Sequence, residues 1–248
     1  MDIGRFMNSI ADFYDEICTP CSNERVSFLH DFIVKYLCKG SVILDEACST
    51  GETLTNLNLS DSYKLIGMDL STGMIRKCIE KTLSSGINFI VDDMRYLNHL
   101  EGKVDLLYNN SIAWLSHVDE IEKTFRRAYD VLNTGGWMIV DTNNSETFYK
   151  GQNILCTSSV ITDTYELYKT TRFHDLKKDY LATQIYTKYN YKDDIIDSYA
   201  SQLHFLICDK ESICGLIEKA GFKLKQILGD YKPDGIESAA YLQFICEK

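Results

Sequence analysis

The sequence is poor in features that break a chain into pieces. It has only two prolines in 248 residues, Pro20 and Pro233, and no Ser/Gly-rich tract, which argues against a flexible linker between separate domains. It has no apolar run of membrane-spanning length and no secretory-signal pattern. Positive charge is in deficit: 26 Lys and Arg face 36 Asp and Glu, for a net charge of -10. General attraction to nucleic acid or to anionic lipid is therefore not expected. A disulfide framework is also lacking. The nine cysteines are an odd number in mostly apolar contexts such as "YLC", "FLIC" and "QFIC", which reads as buried, reduced thiols of a cytoplasmic protein. The close pair Cys18 and Cys21, in "CTPC", has redox or half-zinc spacing but no matching second pair, so no metal site is expected.

What is present fits one sizeable core, or one domain with an embellishment. Hydrophobic residues make up 45% and charged residues 25%, an ordinary globular balance. Phe6, Ile10, Phe13 and Ile17 form a helical stripe over residues 5–17, and Val26, Leu29, Phe32, Ile33 and Leu37 form a second over 22–38, stopped by "KG". The rhythm then changes. Short apolar runs at "SVILD", "YKLIGMD", "INFIVDD", "KVDLLYNN" and "GWMIVD" alternate with helical stretches, of which "DEIEKTFRRAYDVL" at 119–132 is the clearest. Runs too short for buried helices, separated by helices, imply parallel strands covered on both faces, hence a doubly wound α/β sheet. Residues 151–207 break that rhythm with Tyr- and Thr-rich, partly alternating segments that predict antiparallel strands. A helix at about 209–220, ended by Gly221, and two strand-like runs, "FKLKQIL" and "AAYLQFICE", close the chain.

The chemistry concentrates at "VILDEACSTGETL", residues 42–54: a buried strand, an acid, a small-residue turn and a helix start. In open parallel sheets ligands sit at the carboxyl ends of the strands, where small residues let the backbone approach and a helix N-terminus favours negative charge. Asp69 ends the next run, where an acid accepts hydrogen bonds from a ribose diol. The turn lacks the G-x-G-x-x-G pattern that cradles a pyrophosphate, and Asp45 and Glu46 would repel one, which disfavours a nicotinamide-dinucleotide dehydrogenase. S-adenosylmethionine carries an ammonium and a sulfonium, and an acid beside the turn suits that cationic part.

In these segments, taken in order, the chain resembles a class I S-adenosylmethionine-dependent methyltransferase of the small-molecule branch, similar to glycine/sarcosine N-methyltransferases. "VILDEACSTGETL" resembles that family's first motif, "LIGMDLSTGMI" its second strand, "NFIVDDMRYL" its third, "VDLLYNNSIAWLSH" its fourth strand and substrate-facing loop, and "VLNTGGWMIVDTNN" and "LIEKAGFKLKQILGDY" its later elements. The matches cover about residues 41–142 and 209–247. The resemblance implies a Rossmann-like, doubly wound, mostly parallel seven-stranded sheet with N-terminal helices and an inserted antiparallel β-region. The implied organisation is a helical cap over 1–40, a cofactor-binding core over 41–150 and 208–248, and an insertion over 151–207 acting as a substrate lid or a dimer surface.

The resemblance further implies S-adenosylmethionine as cofactor, S-adenosylhomocysteine as product, and a small-molecule acceptor methylated on N, O or C. It places Tyr14, Asp45, Ala47, Cys48, Ser49, Gly51, Asp69, Leu70, Met74, Asp93, Met94 and Asn109 around the cofactor. Asn110, Ser111, Trp114 and Asn143 would face the acceptor, with His117 as a base, although a histidine just before "VDEIEK" more often caps a helix. His174 and His204 in the insertion read as solvated, and Tyr14 also fits ordinary helix packing. Ala47 and Ser49 depart from the family turn, which has glycines there. Both fit without cost at negative φ, but positive φ would cost each roughly 1–2 kcal/mol. The turn is expected to be modified but competent, with a non-catalytic adenosyl-ligand binder as the alternative.

Overall fold

The computed structural model describes residues 3–18, 22–59, 62–82, 86–98, 100, 104–147, 155–175, 180–206 and 208–248. Its first sheet is built from the apolar runs. Strands β1 (Val42–Glu46), β2 (Lys64–Asp69), β3 (Asn88–Val91), β4 (Val104–Asn109) and β5 (Leu132–Asn143) pair in parallel. β10 (Lys223–Gly229) and β11 (Tyr241–Glu247) add antiparallel strands, giving the order β10-β11-β5-β4-β1-β2-β3. The order reverses between β4 and β1, which opens a crevice at the carboxyl ends of the strands. The sheet is covered on both sides. Leu44, Leu107, Met138 and Phe244 pack with Phe125 of α6 (Val118–Val131) and Ile217 of α7 (Lys210–Lys219) on one face. Ile43, Leu106, Ile139 and Ile245 pack with Leu29 and Ile33 of α3 (Asn23–Tyr36) and Leu54 of α4 (Glu52–Asn56) on the other. The burial of both faces explains why these strands read as continuous apolar runs.

Three helix starts follow side-chain caps. Ser22 Oγ accepts from Arg25 N at 3.1 Å, Ser71 Oγ from Met74 N at 3.1 Å to open α5 (Thr72–Lys81), and Asp209 Oδ1 from Ser212 N at 2.7 Å. The predicted continuous helix over 5–17 is broken. α1 (Ile3–Ile10) gives way to a tight turn at Ala11–Phe13 before the short α2 (Tyr14–Ile17). The turn serves two packing demands: Phe6, Ile10, Phe13 and Ile17 remain in one core cluster, while Tyr14 reaches the crevice.

That cluster is shared with a second, four-stranded antiparallel sheet, in the order β6 (Leu155–Ile161), β7 (Tyr165–Asp175), β8 (Tyr180–Asn190), β9 (Ile195–Phe205). Leu167, Ala182, Tyr186 and Leu203 face Phe6 and Phe13, whose rings lie 5.9 and 5.8 Å from Tyr186. The N-terminal segment is thus sandwiched between the second sheet and α5. Asn8 Oδ1 accepts from Gly73 N and Ser71 Oγ, both at 2.7 Å, and Asp12 pairs with Arg76 at 2.7 Å. Asp15 pairs with Lys81 and accepts from the Thr50 hydroxyl of the glycine-poor turn. Cys21 of the "CTPC" pair lies outside the described residues; among the described residues no cluster of three or more His, Cys, Asp or Glu could hold a metal. No described helix is long and apolar enough to cross a membrane.

Candidate functional site

The turn after β1 decides the geometry. Ala47, Ser49 and Gly51 have φ of 56, 52 and 79°, so three alternate residues are left-handed. Only the last is glycine, and it is needed twice over: a Cβ at Gly51 would lie 3.0 Å from Phe89 and 3.1 Å from Cys78. Ala47 and Ser49 hold the glycine-type backbone under strain. The surroundings enforce it. Cys48 N donates to Met68 O at 2.8 Å, Gly51 N to Cys48 O at 2.9 Å, and Ser49 N to Asp69 Oδ2 at 2.9 Å.

The carboxyl ends of β1 to β4, the N-terminal segment and β9 enclose a cavity of about 420 Å³. Asp69, Leu70, Met74, Asp93 and Met94 line one part of it; Asn110, Ser111 and Trp114 of the β4 loop line another, with Tyr14 over the top. A second cavity of about 80 Å³ adjoins it, sharing Tyr14, Ala47, Ser49 and Asn110, and is walled by Asp45, Cys48 and Arg25.

Four expected site residues lie elsewhere. Gly51 caps α4 behind the turn. Asn109 is buried beneath the cavity, donating from Nδ2 to Glu46 Oε2 at 2.8 Å and accepting Ser111 N at 2.8 Å, because a strand-end side chain alternates inward where its neighbour Asn110 points out. His117 is an exposed residue at the N-terminus of α6. Asn143 sits in the β5–β11 ladder opposite Tyr241. Conversely, sequence reasoning missed Arg25, Arg95, Glu120 and Gln202, which line the cavities, while His204, read as solvated, is exposed and also borders the larger one. Arg95 pairs with Asp93 at 2.6 Å and with Glu120, whose Oε2 accepts Ser116 N at 2.8 Å. No local pattern marks these residues, since they arrive from α3, the loop after β3, α6 and β9.

The electrostatics suit a guest that carries both signs of charge. Asp45 is fully buried, its Oδ2 has no hydrogen-bond partner among the described residues, and burial pushes its carboxyl up to about 7 despite Arg25. Glu46 is pushed up to about 8 by burial, against the hydrogen bond from Asn109. Asp69 rises to about 6 through burial, against backbone hydrogen bonds from Ser71 and Ser49. Burial also raises the Tyr14 phenol. Arg25 stays charged: burial opposes it, but Tyr108, Tyr231 and Asp141 outweigh that and raise its pKa. Opposite charges thus face one small cavity, with a nucleoside-sized space beside it.

The fold has solved counterparts. The solved structure of an S-adenosylmethionine-dependent methyltransferase from Clostridium acetobutylicum superposes with a TM-score of 0.75 over 97% of this chain and 98% of that one, at 20% identity. The sugar N-methyltransferase KedS8 from a Streptoalloteichus species does so with a TM-score of 0.74 over 91% and 88%, at 17% identity. The chain therefore has the class I S-adenosylmethionine-dependent methyltransferase fold. Residues 43–136 match the family model described as a methyltransferase domain. A malonyl-[acyl-carrier protein] O-methyltransferase of Ilyobacter polytropus is 30% identical over 117 residues, 46% of this chain and 42% of that relative. The chain spans about half the length of the curated relatives it matches.

Proposed function

We propose that the protein transfers the methyl group of S-adenosylmethionine to a nucleophilic atom of a small molecule. The observation that carries this reading is the small cavity in which the Arg25 guanidinium faces the unpartnered, buried Asp45 carboxylate, opening onto the larger cavity lined by Asp69 and Asp93. An amino-acid zwitterion joined to a nucleoside fits that arrangement. Arg25 would hold the carboxylate, Asp45 the ammonium, and Asp69 the ribose diol through the lone pairs its two backbone donors leave free. Asp93 and Met94 would flank the base. When bound, the cofactor supplies a methyl already activated on a sulfonium, so the chain need only align the acceptor and exclude water.

The acceptor end is lined by Trp114, Ser111, Ser116, Gln202 and His204. Hydroxyl, amide and imidazole groups beside an indole suit a polyhydroxylated, amine-bearing acceptor, in keeping with the sugar N-methyltransferase among the structural relatives. His204 takes the base role first considered for His117, because it borders the cavity and His117 does not. β9 of the second sheet thereby contributes to acceptor choice. The reading includes a cytoplasmic location, where thiols such as Cys48 and Cys78 stay reduced.

Calorimetric titration with S-adenosylhomocysteine and with nicotinamide dinucleotides, followed by mass spectrometry of amino sugars incubated with S-adenosylmethionine, tests the proposal. Tight binding of the adenosyl ligand alone and a gain of one methyl mass support it. Binding without turnover on any acceptor would favour a non-catalytic adenosyl-ligand binder, and failure to bind would overturn it.

A further inference from the structure

Arg25 is held from behind by a buried network that belongs to neither cavity. Its Nε donates to Tyr231 Oη at 3.0 Å and lies 3.6 Å from Asp141 Oδ2. Tyr231 Oη in turn donates to Asp141 Oδ2. Asp141 also accepts from Tyr108 Oη at 3.1 Å and, on Oδ1, from Gln243 Nε2 at 2.9 Å. Gln243 Oε1 accepts from the backbone N of Tyr231 at 2.7 Å, which closes the ring. Asp141, Gln243 and Tyr108 are almost wholly buried on adjacent strands β5, β11 and β4.

The loop that delivers Tyr231 is strained. Asp230 and Tyr231 are consecutive left-handed residues, with φ of 47 and 64°. Such strain persists only where the surroundings over-determine it, and it gathers where a side chain must be aimed. The supports are present: Asp230 carboxylate oxygens accept Ala240 N at 3.0 Å and Tyr241 N at 2.9 Å, and Gly229 N donates to Lys232 O at 2.8 Å. Phe28 of α3 packs on the Tyr231 ring, with centroids 5.5 Å apart.

We propose that Tyr231 and Asp141 are positioning residues that aim Arg25 at the amino-acid end of the cofactor; this rests on the cofactor reading above. A guanidinium presents a fixed planar fork of five N–H donors. Tyr231 occupies Nε, and no hydrogen bond leaves Nη1 or Nη2 toward any described residue. The end-on Nη pair is therefore the edge left to face the small cavity, and that edge matches a carboxylate through two parallel hydrogen bonds. Arg25 Nε, Tyr231 Oη and Asp141 Oδ2 form a triangle, so the phenol holds Nε at 3.6 Å from the carboxylate it is paired with. Without its hydroxyl, Nε would close from 3.6 Å onto Asp141 Oδ2 as its direct hydrogen-bond acceptor, turning the guanidinium away from the cavity. The C-terminal hairpin thus reaches the cofactor through Arg25 without touching it.

The test separates the amino-acid tail from the nucleoside. S-adenosylhomocysteine carries the tail; 5′-methylthioadenosine shares the nucleoside and thioether and lacks it. Calorimetry on the full chain should show Tyr231→Phe and Arg25→Met each weakening S-adenosylhomocysteine by at least about tenfold while 5′-methylthioadenosine changes less than about twofold. Tyr231→Phe added to Arg25→Met should cost nothing further, since both act through one group. Asp141→Asn should reproduce the pattern more weakly. An equal loss for both ligands, additive losses in the double variant, or an unchanged S-adenosylhomocysteine affinity in Tyr231→Phe would each overturn the proposal. Wild-type protein that binds neither ligand would overturn the cofactor reading itself, and a wild type that binds both equally would overturn tail recognition alone.

Discussion

Replacing Ala47 with glycine should stabilise this protein, against the usual direction for glycine. Ala47 sits at φ 56°, where a Cβ meets its own carbonyl oxygen at a cost of roughly 1–2 kcal/mol. Glycine removes that cost but frees the unfolded chain, which takes back roughly 0.4–1 kcal/mol. The lost methyl is only part-buried at the cavity wall, so it removes a further few tenths of a kcal/mol, well below the roughly 0.8 kcal/mol of a fully buried methylene. The balance is a gain of about 0.5 kcal/mol, equivalent to about 1–2 °C in Tm for a chain of this size. Thermal unfolding followed by circular dichroism measures it, with Ala128→Gly in the buried face of α6 as the control. The same chemical change there has no strain to relieve, so it should lower stability by about 1 kcal/mol or more. If Ala47→Gly lowers Tm as Ala128→Gly does, the strain argument for this turn is wrong.

The other expectations can be checked with the same preparations. Asp69→Asn should weaken S-adenosylhomocysteine by at least about tenfold, because a charge-assisted hydrogen bond contributes roughly 1.5–3 kcal/mol; an unchanged calorimetric Kd in folded protein would remove Asp69 from the site. Glu46 has its carboxyl raised from 4.5 to about 8, so its contribution to stability is fully present below about 4.5 and lost as pH rises through 8. Urea unfolding from pH 5 to 8 should therefore show parent stability falling more steeply than that of Glu46→Gln, by at most about 1.4 kcal/mol per pH unit; parallel curves would refute it. Phe6→Ala removes a ring that is 1% exposed between the second sheet and α5, and should cost about 3–5 kcal/mol by the same unfolding measurement. His204→Ala should lower kcat of methyl transfer while His117→Ala, at an exposed helix start, leaves it within about twofold; the reverse result would restore His117 as the base.

Much of the molecule was legible before any coordinates. The runs "VILD", "LIGMD" and "DLLYNN" announced buried parallel strands because both of their faces are covered, and the acids that end the first two announced the crevice. The Tyr/Thr-rich stretch announced an antiparallel sheet because one face of it packs and the other meets solvent. These are local consequences of periodicity, and they carry the fold; the residues expected around the crevice follow from the family resemblance and not from periodicity. Periodicity could not show that φ is positive at Ala47 and Ser49, because the backbone there is imposed by Met68 and Asp69 from the neighbouring strand. Nor could it show the break at Ala11–Phe13, since residues 6, 10, 13 and 17 share a stripe on a straight helix as well. Arg25 and Tyr231 stand 206 positions apart in the chain and hydrogen-bond only because α3 and the β10–β11 loop meet at one face of β5. A contact of that kind depends on the closure of the whole sheet, and local sequence carries no record of it until the strands have taken their order.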